Sequence, residues 1–284
     1  MLSSSLNFIA IAAALAAAPV APKATLAPLG TITLAQSDER VFVMMQIGDG
    51  ELLPMIFDSG SDGHSIDRIA VRHNHLRRVG AMVEIDGTTG KRRNLPTVTI
   101  PNVKLGGLEV GPIEASELDY DRSDAMGIIS PDMFAGRLVS IDLARNRARI
   151  LEAGPANIPS IPATPYHGPL PTTELVLPDG RRLPAHLDTG YNGELSLPLA
   201  MIDHVPLTKP AIIVGRFHSI DTDGDVYGGQ IRGPVRIGPI TLDNPHVTFL
   251  GDITNVGLPV IRRVTLLLDP AGKRSWLLPL APAR

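Results

Sequence analysis

Cysteine is absent from the 284-residue chain, which excludes thiol nucleophiles, disulfides and thiolate metal sites together. An excess of basic charge is also missing. Lys+Arg 26 against Asp+Glu 29 leaves a net charge of -3, so no nucleic-acid partner is expected, and Lys91-Arg92-Arg93 reads as a solvated turn. Nowhere does the chain carry H-E-x-x-H, G-x-S-x-G, a P-loop or a dinucleotide fingerprint, which removes the zinc, serine-hydrolase and nucleotide chemistries those motifs serve. The segment DTDGDVYGGQ, residues 221–230, has acidic spacing foreign to an EF-hand loop, and Arg232 stands where the bidentate Glu is needed. His73 and His75 could set two imidazoles on one side of a strand. They lack a clear third ligand and, with Arg72, Arg77 and Arg78, read as a solvated basic segment. Neither metal nor cofactor is expected.

Long apolar runs are scarce as well. Residues 6–20, LNFIAIAAALAAAPV, are too short to span a bilayer comfortably and read as the apolar part of a secretory signal within residues 1–27. Cleavage after Ala18 or after Ala27 satisfies the small-residue rule equally, and the competing reading is a buried N-terminal helix. The expectation is an exported protein, periplasmic or secreted, without stable membrane insertion.

What the chain does have is one pattern written twice. FDSGSDG, residues 57–63, returns as LDTGYNG, residues 187–193, whereas the composition allows only about 0.2 chance occurrences of Asp-[Ser/Thr]-Gly. Displacing the chain by 130 positions matches Asp49-Gly50 with Asp179-Gly180, Leu53-Pro54 with Leu183-Pro184, Gly63 with Gly193 and Gly127 with Gly257. Each copy opens on two β-type runs around Asp-Gly, a dipeptide that tolerates the positive φ of tight hairpins. Pro54 and Pro184 lack an N–H, so each must sit at an edge or turn its nitrogen away from the ladder.

Short strands punctuated by Gly and Pro predict a mostly β protein, with one or two helical turns within residues 66–74 and 197–204. The second copy is three residues shorter between Gly257 and Asp269 than the first is between Gly127 and Asp142. Six prolines within residues 151–171 predict an extended, semi-stiff connector. The expected organisation is a signal over 1–27, one lobe over 28–152, a Pro-rich linker over 153–171 and a second lobe over 172–284.

The paired FDSGSDG and LDTGYNG, the later MGIIS and VGLPV, and the closing VSIDLARNRARI and LLLDPAGKRSWL resemble the aspartic proteases. They are most similar to a retropepsin-like protease of the bacterial exported kind, with its two halves fused in one chain. The resemblance implies an all-β, bilobal, pseudo-symmetric acid-protease fold in which Asp58 and Asp188 face each other as the catalytic pair. It implies that Ser59 and Thr189 brace the two loops by cross-lobe hydrogen bonds, and that Gly60 and Gly190 let the loops approach. Residues 84–94 and 221–230 become the candidate flaps. The flap Tyr of pepsin-like relatives is missing, Ser130 stands where relatives often place Gly, and Pro259 interrupts the matching run.

The implied reaction is peptide-bond hydrolysis on a peptide or protein substrate, favoured at acid pH. Two carboxylates near contact share one proton and activate a water. A monomer completes such a site by itself. The competing reading is a non-catalytic module that holds extended peptides on the same scaffold; two carboxylates this close leave no room for glycosidase geometry.

Overall fold

A computed structural model describes residues 28–85, 91–120, 124–218 and 223–280. The expected secretory signal therefore lies outside the described residues. The chain is nearly all β, arranged in a fifteen-stranded and a nine-stranded sheet. Alternation drives this outcome. In Gly30–Gln36, Ile32 and Leu34 are buried while Thr31 and Thr33 face water, and Val41–Ile47 repeats the rhythm with Val41, Val43 and Met45 inward. The two predicted helical stretches are short. Arg68–His73 is an α-helix whose N-terminus is capped by Asp67 accepting from the Ile69 N–H at 2.6 Å, and Leu199–Met201 is a single 3-10 turn. His73 ends that helix and His75 follows with φ of +50°, so the two histidines do not share a strand.

Each half builds the same frame. Leu52–Phe57 runs antiparallel to Val41–Ile47 and parallel to Gly127–Ile129, with Phe57 in register with Ile129. Arg182–Leu187 runs antiparallel to Thr172–Val176 and parallel to Asn255–Val256, with Leu187 in register with Val256. Each central strand thus delivers its Asp-[Ser/Thr]-Gly turn from between two neighbours. Pro54 tolerates this interior place because its carbonyl accepts from the Met126 N–H at 2.8 Å. That carbonyl, and with it the nitrogen, points away from Val41–Ile47, as the missing N–H requires. In the first hairpin the positive φ falls on Gly48 (+58°), ahead of Asp49-Gly50; in the second it falls on Gly180 (+87°).

The register corrects one match made along the sequence. Because Ile129 pairs with Phe57 and Val256 with Leu187, the counterpart of Gly257 is Ser130, not Gly127. The helical turns Pro131–Phe134 and Leu258–Ile261 then correspond, as do Arg137–Asp142 with Val264–Asp269 and Arg147–Glu152 with Arg274–Pro279. The three-residue shortfall disappears from that stretch and moves upstream, between Ile113–Leu118 and Gly127–Ile129 as against His246–Phe249 and Asn255–Val256. The apparent Gly match at the larger spacing is a coincidence of composition.

The halves are joined through their last strands. Arg137–Asp142 pairs antiparallel with Val264–Asp269, placing Val139 opposite Leu268 and Ile141 opposite Leu266 in the larger sheet. One continuous apolar core includes residues of both halves, from Ile32 to Leu277. The Pro-rich connector is tacked to this junction. Thr164–Pro165 pairs with Arg274–Ser275, the Trp276 indole N–H donates to the Ile161 carbonyl at 3.2 Å, and Ile158 and Ala163 pack on the small cluster of Leu138, Leu151, Leu267 and Trp276. Among the described residues no helix is long and apolar enough to cross a membrane.

Candidate active site

All six site residues named from the sequence meet at one point. Asp58 follows Leu52–Phe57 and Asp188 follows Arg182–Leu187, and both carboxyls line a single cavity of about 210 Å³. The Gly60 N–H donates to Asp58 Oδ1 at 2.7 Å, and the Gly190 N–H donates to Asp188 Oδ1 at 2.9 Å. Each glycine lies against the opposite carboxyl. A Cβ on Gly60 would stand 2.5 Å from Asp188 Cγ, and one on Gly190 would stand 2.6 Å from Asp58 Oδ2. Only a residue without a side chain permits this approach.

Ser59 and Thr189 knit the loops together. The Ser59 N–H donates to Thr189 Oγ1 at 2.9 Å and the Thr189 N–H donates to Ser59 Oγ at 3.1 Å. Each hydroxyl then donates across to the strand of the other half: Ser59 Oγ to the Leu187 carbonyl at 2.6 Å, Thr189 Oγ1 to the Phe57 carbonyl at 2.7 Å. Both residues are buried. Four reciprocal bonds away from water leave the loops no alternative partners if one hydroxyl is lost.

The electrostatics follow from this packing. Burial pushes both carboxyls above the usual carboxylate range, and the Asp58 charge pushes Asp188 further up. Loop N–H groups pull the other way, and the two carboxyls hydrogen-bond each other. Two like charges at this separation cannot both ionise easily, so the pair holds one proton in common over a range of pH and titrates as a unit.

Several neighbours carried no signal in the sequence. Asn255 Nδ2 donates to Asp188 Oδ2 at 3.0 Å. The Tyr191 hydroxyl donates to the Leu195 carbonyl at 3.0 Å and lies 2.8 Å from Thr248 Oγ1. Its ring occupies space that Gly257 leaves open, since a Cβ there would stand 2.5 Å from Tyr191 Cδ1 and 2.2 Å from the Gly193 carbonyl oxygen. In the first half, His64 Nδ1 accepts from the Ser130 N–H at 3.1 Å, and burial pulls this imidazole down to about 4, so above that pH it is neutral with its own proton on Nε2. Tyr120 bonds the Ser65 hydroxyl, and burial with the nearby Asp58 charge raises its phenol. None of these residues forms a spacing motif; each is recruited by a fold contact between distant segments.

The two departures noted in the sequence are accommodated. Ser130 Oγ donates to the Ser61 carbonyl at 2.7 Å, which gives the loop after Asp58 a tether. Pro259 lies in the first turn of Leu258–Ile261, where a missing N–H costs nothing. The expected flaps fall on antiparallel hairpins, Arg77–Ile85 with Arg92–Ile100 and Ile212–His218 with Asp223–Gln230. The intervening residues 86–90 and 219–222 lie outside the described residues. From the first hairpin, Glu84 accepts from the Ser116 hydroxyl. Beneath the second lies a cavity of about 500 Å³ walled by Leu195, Ile212, Val214 and Val247; Tyr191 separates it from the aspartate cavity. Among the described residues no group of three His, Asp or Glu is placed to hold a metal ion. The chain matches no protein-family model and no curated protein sequence.

Proposed function

We propose that this chain is an aspartic endopeptidase of retropepsin-like, bilobal fold, working as a single chain. The observation that carries the reading is the convergence of Asp58 and Asp188, one from each half, to hydrogen-bonding range in a shared cavity behind reciprocal Ser59–Thr189 bonds. Such a pair is matched to one reaction class. Its ionised member takes a proton from a water between the carboxyls, and that water attacks the peptide carbonyl carbon. The protonated member hydrogen-bonds the carbonyl oxygen as charge develops there. Collapse of the tetrahedral intermediate breaks the C–N bond once the nitrogen has gained a proton. The hairpins Ile212–His218 with Asp223–Gln230 and Arg77–Ile85 with Arg92–Ile100 take the role of covers for an extended peptide. The apolar run within residues 6–20 supports export.

Digestion of casein by the purified protein across pH 3 to 7, beside Asp58→Asn and Asp188→Asn, tests the reading. Cleavage on the acid side, abolished in both variants, is the expected result. Binding of extended peptide without cleavage at any pH would overturn the enzyme in favour of the holding module.

A further inference from the structure

The two aspartates stand on equivalent strands but not in equivalent company. Asn255 is in register with His186 on one side and Ser196 on the other, and its amide N–H reaches Asp188 Oδ2 at 3.0 Å. The equivalent place in the first half, set by the pairing of Ile128 with Ile56, holds Ile128, which has no donor to offer Asp58. Asp188 therefore has a donor on each oxygen, Gly190 N–H on Oδ1 and Asn255 on Oδ2. The other amide atom, Asn255 Oδ1, is buried without a partner among the described residues. An asparagine serving packing alone has no reason to carry that desolvation cost where isoleucine suffices across the repeat.

We propose that Asn255 is a positioning residue for the aspartate pair: it locks the Asp188 carboxylate in orientation and favours its ionised form, so that the pair sheds its first proton at lower pH than two unassisted aspartates would. This rests on the endopeptidase reading. The groups facing the amide are few. They are Asp188 and its partner Asp58, the Tyr191 phenol from the following loop, and His186 from the adjacent strand; Ser196, Leu250 and Ile253 complete the wall without charge. Burial and the Asp58 charge drive Asp188 upward and the Gly190 and Tyr191 N–H groups oppose them, while Asn255 adds the neutral side-chain donor on Oδ2.

The test compares the full chain with Asn255→Leu and Asn255→Ala, the second removing the amide without adding bulk should the first fail to fold. Rates on a quenched-fluorescence peptide are followed from pH 3 to 7. The acid limb of kcat/KM should move up by about one pH unit, a loss of roughly 10-fold near pH 3.5 that shrinks to a few-fold on the alkaline side. A uniform fall at every pH, with the limb in place, would overturn the proposal and leave Asn255 structural. If the parent cleaves nothing, the endopeptidase reading fails by itself. Carboxyl titration by ¹³C NMR on labelled aspartate then decides the role of Asn255, and an unmoved pair in the variants refutes it.

Discussion

The loop of Asp58 is backed by the pairs His64–Ser130 and Ser65–Tyr120, whereas Asp188 is bonded by Asn255 and its loop is backed by Tyr191 with Thr248. The backbone frames around them match strand for strand, and the Ser59–Thr189 bonds are reciprocal. The difference between the halves shows which parts of the site the duplicated frame must keep. Kept are the carboxyls, the hydroxyls and the glycines under them, because each makes a contact with the other half across the junction. Free to diverge are the residues that fill the space behind each loop. The first half tethers its loop through Ser130 Oγ to the Ser61 carbonyl. The second half instead lodges Tyr191 over Gly193 and Gly257, and the Leu258 N–H serves the Tyr191 carbonyl at 2.9 Å.

Where the halves agree, substitution should break both alike. Gly60→Ala and Gly190→Ala each drive a methyl into the opposite carboxyl, and each should lower kcat/KM on a peptide by at least about 100-fold, since a displacement near 1 Å suffices for that loss. A variant that retains parental activity would show that the carboxyls need not meet.

Where they differ, exchange should be lopsided. Gly257→Ser imports the residue of the first half into a place closed by Tyr191 and the Gly193 carbonyl. It should cost more than about 3 kcal/mol in urea unfolding, because backbone cannot yield as a side-chain tip can.

His64 offers a contrast in pH. Its ordinary value of 6.5 falls to about 4 on folding, so the unfolded chain binds the extra proton first as pH drops. Stability is therefore full above about 6.5 and declines toward 4, by about 3 kcal/mol relative to a His64→Gln variant, whose amide oxygen can still accept the Ser130 N–H. Parallel unfolding curves for the two proteins from pH 7 to 4 would exclude that role. The smallest expected effect is the reverse exchange, Ser130→Gly. It removes the tether to Ser61 together with the weak cap on Pro131–Phe134 and should cost about 1 kcal/mol by the same unfolding assay.

The legible part of the molecule was the part that repeats locally. Asp-Ser-Gly and Asp-Thr-Gly, each after an apolar strand, mark turns that admit close approach, and alternation along Val41–Ile47 marks a half-buried strand. The helix at Arg68–His73 falls within the stretch 66–74 expected to hold one or two helical turns, and its Asp67 cap emerges only in the structure. Less legible was the register of the later strands. Gly127 and Gly257 matched along the chain, yet pairing with Phe57 and Leu187 made Ser130 the true counterpart. Asn255, Tyr191, His64 and Tyr120 escaped because nothing local distinguishes a polar residue that fills a gap from one that faces solvent.

By itself the sequence determined that the chain would be nearly all β, that one pattern occurs twice, and that each copy ends a strand in an acid followed by a hydroxyl and a glycine. These are short-range matters, set by side-chain alternation, turn chemistry and the absence of a Cβ. Only the tertiary structure decided that the two acids meet, which residue is the counterpart of Ser130, and that Asp188 has a side-chain amide beside it where the first half places Ile128. Those outcomes depend on strand register and on contacts between segments more than sixty residues apart, where a shift of a few positions changes every partner and leaves the local pattern untouched.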